Sequence, residues 1–318
     1  MKLVQTLVVR DEADIVDAQI SYHLNAGVDF VIATDHESRD GTTEILESYA
    51  RDGLLRRIAV SGAMHDGAWR THMSRLAATE HGADWVINTD ADEFWMPRRA
   101  SLKDTLAAIP LPYGIVFGLS RHFVPRPDDE KFFAERMTVR VSPLVAINDP
   151  TSPYRPHLKA AHRADPAVTV SHGSHSASSA TWQALHNWHP ADVLHFPFRS
   201  RDQWENKGVR RARGDSQLGQ YVIALLASEG GRSEERYSGL VVEDAALERG
   251  RSERMLVCDI RLRDSLRTRV GDVGTDGPVA DESFIADSIG AREADIVRLT
   301  RFVDALCARV AKLESRGR

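Results

Sequence analysis

The first hundred residues alternate between short apolar runs and longer segments with apolar residues at helical spacing. The apolar runs cover 3–9, 29–35, 54–60 and 84–89, each short enough for a buried strand. The segments between them, 13–26, 40–50 and 68–81, carry their apolar residues on one helical face. This β-α-β-α-β-α-β order predicts an α/β fold with a mostly parallel sheet and helices on both faces.

The pattern loosens after residue 100. A short helix is predicted over 101–109 and a strand over 113–124, whereas 125–180 has weak periodicity and gives no order of elements. Gly-, Ser- and Pro-containing stretches at 228–236 and 271–280 predict linkers.

Apolar residues between 289 and 313 recur at the a and d spacing of a coiled coil. Because the pattern covers only about three heptads, two interpretations stay open. The segment is either a helix that packs on its own domain or one that forms a homodimer through 289–313.

Composition describes an ordinary globular protein. The chain has 318 residues, of which 42% are hydrophobic and 27% charged, and a net charge of −5, which argues against nucleic-acid binding. Two distant cysteines, Cys258 and Cys307, do not indicate a disulfide framework. Without a signal-peptide pattern or a long apolar run, the sequence predicts a cytoplasmic protein.

Acidic residues follow three of the four predicted strands. They are Asp11 and Glu12, Asp35, and Asp90 with Asp92. Any one of them is readily explained as a solvated loop residue. Ligands of parallel sheets bind at the carboxyl ends of the strands, however, so three acidic strand ends on one edge favour a binding site there.

Asp90 and Asp92 lie two residues apart just after a strand, so an extended backbone points both carboxylates to the same side. Their repulsion is relieved by a cation, and all-oxygen ligands favour Mg²⁺ or Mn²⁺. An EF-hand is excluded because Trp95 and Ser101 occupy its glycine and glutamate positions. The sequence also lacks a Gly-x-Gly-x-x-Gly turn after the first strand and a P-loop.

Three motifs mark the ends of the first, second and fourth predicted strands. They read Arg10-Asp11-Glu12, "DHESRDGT" over 35–42, and "DADEF" over 90–94. Together they resemble the motifs of GT-A glycosyltransferases of the family 2 and family 92 kind, with Asp11 and His36 each replacing an Asn. The resemblance covers 4–97, and it extends more weakly to "VLHFPFRSRDQWENKGVRRARGD" over 193–215.

The resemblance implies a GT-A domain over 1–227, with a nucleotide-binding half over 1–100 and an acceptor half over 101–227. Residues 228–284 are then a linker and accessory segment, and 285–318 a C-terminal helix. The reaction implied is inverting transfer of a sugar from a nucleotide-diphosphate donor, with Mn²⁺ or Mg²⁺ as cofactor. The acceptor expected is a cell-surface glycan or a lipid-linked precursor, which allows peripheral membrane association.

Site roles follow from the resemblance and the strand ends together. The residues expected to bind the donor are Arg10, Asp11, Glu12, Asp35, Asp90, Arg199 and Lys207. The expected metal ligands are Asp90, Asp92 and His195. For the general base, Asp192 and Glu93 are named, with Asp149 and Asp165 also open. The basic residues between Arg199 and Arg213 have an alternative interpretation, in which they form a solvent-exposed helix face and do not bind the donor.

Two other functions remain open on the sequence. A sugar-phosphate nucleotidyltransferase can share this sheet, although the first strand lacks a Gly-rich loop that grips a triphosphate. The second alternative is a non-catalytic GT-A scaffold with a C-terminal oligomerisation helix. Seven histidines between 157 and 195 lack the spacing and the cysteines of a structural zinc site.

Overall fold

The structure is a computed structural model, and it describes residues 1–98, 101–142, 157–186, 188–205 and 233–267. Several residues named above lie outside these ranges, namely Lys207, Asp149, the 271–280 linker and the 285–318 helix.

The N-terminal part has the predicted alternation. Its elements are β1 (Leu3–Val9), α1 (Val16–Asn25), β2 (Phe30–His36), α2 (Thr42–Arg51), β3 (Leu55–Val60), α3 (Asp66–Thr79) and β4 (Trp85–Asp90). Helix α3 begins two residues before its predicted start, so Asp66 joins its first turn.

The middle part adds mostly strands. These elements are β5 (Glu93–Pro97), α4 (Leu102–Ala107), β6 (Tyr113–His122), α5 (Phe133–Arg136), β7 (Val139–Val141), β8 (Leu158–Arg163), β9 (Thr169–Val170), a 3₁₀ turn (His172–Ser174), β10 (Ala177–Ser178), β11 (Gln183–Ala184) and β12 (Ala191–His195). The last described elements are α6 (Ser233–Leu240), α7 (Asp244–Ser252), β13 (Leu256–Cys258) and α8 (Arg261–Arg267).

Within the described ranges, nine strands form the main sheet in the order β3-β2-β1-β4-β8-β6-β12-β5, with β11 beside β6. Strands β1 to β4 pair in parallel. Strand β8 is antiparallel to both β4 and β6, and β5 is antiparallel to β12. The prediction of a mostly parallel α/β sheet is confirmed, with two antiparallel strands that it did not include.

Helices cover both faces of the β1–β4 part. Met73 and Ala77 of α3 pack over alternate residues such as Val4 and Ile32. The other face is covered by α1 and α2, whose buried residues include Ile20 and Leu46. Both faces are therefore covered, and in open α/β sheets of this kind ligands bind at the carboxyl edge of the strands.

The accessory segment is joined to the sheet domain where it is described. Strand β13 pairs antiparallel with β7, and Leu262 of α8 is buried in the main hydrophobic core. No helix in the described ranges is both long and apolar enough to cross a membrane.

Candidate active site

The carboxyl ends of β1, β2 and β4 meet at one edge of the sheet. Val9 of β1 pairs with Asp35 of β2, and Val8 pairs with Asp90 of β4. The acidic strand ends predicted from the sequence are therefore brought together. Since neighbouring residues of a strand face opposite sides, the side chains of Asp35 and Asp90 belong to different faces of the sheet.

Asp90 lies between two buried cations. Arg70 of α3 donates to its Oδ1, and Lys159 Nζ of β8 lies 2.9 Å from its Oδ2. Burial alone would raise the pKa of Asp90, but Arg70 and Lys159 outweigh it and lower the pKa to about 2. The carboxylate is therefore ionised, and 35% of its side chain remains exposed. Both cations repel a metal ion, which favours Asp92 as the stronger metal ligand.

Asp92 faces His195 of β12. His195 Nε2 lies 3.6 Å from Asp92 Oδ2, and the Asp92 side chain is only 8% exposed. Adjacent ligands of an octahedral Mg²⁺ lie about 3 Å apart, so this pair of donor atoms fits one divalent ion after a small adjustment. His195 Nδ1 lies 2.9 Å from His122 Nδ1, and donation to His122 leaves Nε2 able to bind a metal.

Within the described ranges, no group of three His, Cys, Asp or Glu side chains is arranged to hold a metal. A cation held by Asp92 and His195 would therefore take its other ligands from donor phosphates and water, which is how Mg²⁺ commonly binds.

Arg199 is buried among acids rather than exposed to a donor. Its guanidinium, 1% exposed, pairs with Glu12 and lies 2.7 Å from Asp14 Oδ2 and 3.9 Å from Asp92 Oδ2. It also donates to the Phe196 carbonyl at 3.0 Å. This side chain therefore ties the loop after β1 to the segment after β12, and it balances the charge around Asp92.

Asp35 is held by the first turn of α2 and by β3. Only 2% exposed, it accepts hydrogen bonds from Thr43 Oγ1 at 2.6 Å and Arg57 Nη1 at 3.0 Å. These partners engage the carboxylate fully enough that a nucleobase would have to compete with them.

Arg10 and Asp11 form the more accessible part of this edge. Arg10 Nε lies 3.7 Å from Asp11 Oδ2, and each side chain is 22% exposed. Asp11 also accepts a hydrogen bond from the Arg39 amide at 2.7 Å. The loops after β1 and β2 are thereby joined, with both side chains within reach of a ligand.

Glu93 is buried beneath Asp90. Its Oε1 lies 2.7 Å from Lys159 Nζ, and its Oε2 accepts from the Asp90 amide at 3.1 Å. Burial raises the pKa of Glu93. A side chain that is 2% exposed does not reach an acceptor hydroxyl, so the position of Glu93 suits a support for the turn after β4 rather than a general base.

Asp192 lies away from the metal pair. It stands three residues before His195 on β12, about 10 Å along the strand and on the opposite face. It pairs with Arg98, Arg121 and Arg261. Burial would raise its pKa, but these arginines hold the pKa far below its usual range. A carboxylate so strongly paired is a poor proton acceptor.

Sequence reasoning missed four residues of this site: Asp66, Arg70, Lys159 and His172. Asp66 and Arg70 have the i, i+4 spacing of a helical ion pair, which was a usable local signal. Lys159 and His172 reach the edge from strand β8 and the 3₁₀ turn, and no local pattern marks either of them.

Around Asp90 and Asp92, the described residues include six carboxylates and three permanent cations. The carboxylates are Glu12, Asp14, Asp66, Asp90, Asp92 and Glu93, and the cations are Arg70, Lys159 and Arg199. This excess of negative charge is the electrostatic setting in which a divalent cation binds.

The N-terminal region also matches a known sequence family. Residues 4–110 match glycosyltransferase family 92. This match covers about a third of the chain and confirms the resemblance that the strand-end motifs predicted. No curated protein matches the chain significantly.

Several solved structures are similar in fold. Staphylococcus aureus TarS 1–349 in complex with UDP-GlcNAc is 14% identical, with a TM-score of 0.37 over 70% of this chain and 71% of that one. A longer TarS structure is 14% identical, with a TM-score of 0.33 over 70% of this chain and 42% of that one. Mycobacterium tuberculosis glucosyl-3-phosphoglycerate synthase in complex with Mn²⁺, UDP and phosphoglyceric acid is 20% identical, with a TM-score of 0.28 over 38% and 43%. These scores are below 0.5, so nothing about this chain's ligands follows from them.

Proposed function

We propose that this chain is a metal-dependent inverting glycosyltransferase that moves a hexosyl group from a nucleotide-diphosphate donor to an acceptor hydroxyl. The observation that carries the proposal is the Asp92–His195 pair, with donor atoms 3.6 Å apart, at the carboxyl edge of a parallel sheet. The match of residues 4–110 to glycosyltransferase family 92 supports the choice of reaction.

Asp92 and His195 would hold Mn²⁺ or Mg²⁺ together with the donor diphosphate. The bound cation would offset the negative charge that develops on the departing nucleoside diphosphate. Arg199 keeps the Asp92 carboxylate in place through its contacts with Glu12 and Asp14.

Asp90 has a different role in this proposal. Arg70 and Lys159 fix its carboxylate in one orientation, with its accessible side toward the ligand. An ionised and immobile carboxylate is a good acceptor for a sugar or ribose hydroxyl, and it costs little reorganisation on binding.

Arg10 and Asp11 would contact the nucleotide from the loop after β1, since both are partly accessible at the same edge. The acceptor that we propose is a cell-surface glycan or its lipid-linked precursor. That class, a cytoplasmic location, peripheral membrane association and a homodimer through 289–313 rest on the sequence alone.

The test is a screen of UDP-, GDP- and dTDP-sugars for Mn²⁺-dependent release of nucleotide. We expect one donor class to be turned over by the wild type and by Asp52→Asn, a control at an exposed acid away from the site. Asp92→Asn should be inactive. Wild-type turnover by Asp92→Asn would contradict the metal role, and release of pyrophosphate would favour a nucleotidyltransferase. If no sugar nucleotide with Mn²⁺ raises the melting temperature of the protein, that result would favour the non-catalytic scaffold hypothesis.

A further inference from the structure

His172 and Asp66 form a hydrogen-bonded pair beside the candidate site. His172 Nδ1 lies 3.1 Å from Asp66 Oδ2, and the two side chains are 80% and 6% exposed. Asp66 also accepts from the Gly173 amide at 2.7 Å. One ring nitrogen of His172 is therefore held by a buried carboxylate, while the rest of the ring is open to solvent.

This pair is linked directly to Asp90. Arg70 Nε lies 2.9 Å from each Asp66 oxygen, and the same guanidinium donates to Asp90. Lys159 Nζ lies 2.9 Å from Asp90 Oδ2 and 2.8 Å from the Gly173 carbonyl. Lys159 therefore contacts both the turn that carries His172 and Asp90, and Arg70 links Asp66 to Asp90, which places the imidazole at the same edge as Asp90.

Two glycines allow the backbone of the 3₁₀ turn to lie close to the start of α3. A Cβ at Gly67 in the first turn of α3 would lie 3.1 Å from the His172 amide nitrogen. Gly173 has a φ of +62°, which favours glycine. The turn can therefore lie directly against the start of α3, where Asp66 reaches it.

A carboxylate that accepts the Nδ1 proton fixes the tautomer of a histidine and turns the Nε2 lone pair outward. The hydrogen bond to Asp66 raises the pKa of His172, against an opposing effect of burial. The charged groups that face this imidazole are Asp66, Arg70 and Asp90, with Lys159 behind the Gly173 carbonyl.

We infer that His172 is the general base of the transfer and that Asp66 is its positioning residue. This inference rests on the proposed glycosyltransferase function. The acceptor oxygen forms a bond to the anomeric carbon while the bond from that carbon to the donor phosphate oxygen breaks. The hydroxyl proton moves to His172 Nε2, and the nucleoside diphosphate leaves with the bonding electron pair.

The experiment measures kcat, KM for the donor, and donor binding in His172→Gln and His172→Ala. Loss of a general base lowers rates about 10²–10⁴-fold, so kcat should fall in that range with donor binding unchanged. Added imidazole should restore part of the rate of His172→Ala. His72→Gln, at an exposed histidine that lies on α3, is the control and should behave as the wild type.

The pH profile gives a second readout. In the wild type, kcat/KM should rise with pH through a pKa above the usual histidine value, and this limb should disappear in His172→Gln. Asp66→Asn should move this limb of the pH profile to lower pH.

The inference about His172 would be overturned if His172→Gln kept the wild-type kcat while Asp92→Asn was inactive. That result would leave the proposed function standing. A loss of donor binding equal to the loss of kcat would also overturn it. A wild-type protein that turns over no donor would overturn the proposed function itself.

Discussion

Lys159 Nζ lies 2.7 Å from Glu93 Oε1, in an ion pair whose side chains are 4% and 2% exposed. The same ammonium group contacts Asp90, so one lysine serves two acids of the candidate site. Burial alone would lower the pKa of Lys159, but Asp90 and Glu93 outweigh it and raise the pKa. The lysine is therefore charged, and it holds strand β8 against the turn after β4.

Replacing this lysine should destabilise the protein strongly. Lys159→Met leaves the buried Glu93 without its cation and the partly exposed Asp90 with one cation fewer, and breaking a buried pair costs about 3–5 kcal/mol. Urea denaturation measures the loss. The double variant Lys159→Met/Glu93→Gln should recover part of it, because the glutamine no longer leaves a buried charge.

The matched control is Lys103→Met, which breaks a partly exposed pair with Asp29. A surface pair contributes about 0–1 kcal/mol, so this variant should remain close to the wild type. Equal stability of Lys159→Met and Lys103→Met would show that the buried pair does not hold the turn.

Metal affinity should depend on His195. His195→Gln removes the imidazole that faces Asp92, and we expect Mn²⁺ affinity to fall at least as much as the 10–100-fold loss seen for outer-sphere partners. Calorimetric titration of Mn²⁺ in the presence of a nucleoside diphosphate measures it. His65→Gln, at an exposed histidine, should bind Mn²⁺ as the wild type does. Unchanged affinity in His195→Gln would remove this residue from the ligand set.

Arg199 should not be replaceable by lysine. A single ammonium group does not reach Glu12, Asp14 and the Phe196 carbonyl together, so Arg199→Lys should cost about 1–3 kcal/mol. The comparison is Arg201→Lys, at a half-exposed residue paired with Glu205, measured by the same urea titration. If both variants match the wild type in stability, Arg199 does not hold the loop after β1 to the segment after β12.

Two buried histidines predict an acid-sensitive fold. Burial lowers the pKa of His23 and of His162 to about 4, against 6.5 for the free side chain. The unfolded chain therefore binds protons more readily than the folded one at these two histidines. Their contribution to the free energy of unfolding is fully present above pH 6.5 and is lost as pH decreases toward 4. Linkage gives about 3 kcal/mol for each histidine.

The measurement is the free energy of unfolding from urea titrations at several pH values between 7 and 4.5. His23→Gln should reduce the slope of stability against pH, even if its stability at pH 7 is lower. His72→Gln, at an exposed histidine of α3, should keep a slope close to that of the wild type. A wild-type stability that does not change over this range would contradict the prediction.

The sequence predicted the part of the fold whose pattern is local. The apolar runs and helical stripes of the first ninety residues identify β1 to β4 and α1 to α3 because each element carries its own periodicity. It also predicted that Asp35, Asp90 and Asp92 share an edge, since parallel strands end on the same side. Strand β8 was not predicted, because it lies within 125–180 and has no distinct pattern.

The candidate site was predicted less completely, because its acids are paired by residues from distant segments. Arg70, Lys159 and Arg199 come from α3, β8 and the segment after β12, and their pairing is visible only in three dimensions. Glu93 and Asp192 were predicted as general bases from the sequence, but Lys159 pairs with Glu93 and three arginines pair with Asp192, so neither is placed to take a proton from an acceptor.

The docking of α8 sets the size of the smallest useful fragment. Leu262 fills part of the main core, and Arg261 pairs with both Asp192 and Asp259. A protein truncated at residue 227 would lose the buried Leu262 side chain and one of the arginines that pair with Asp192. Expression designs for this chain should therefore extend at least through residue 267.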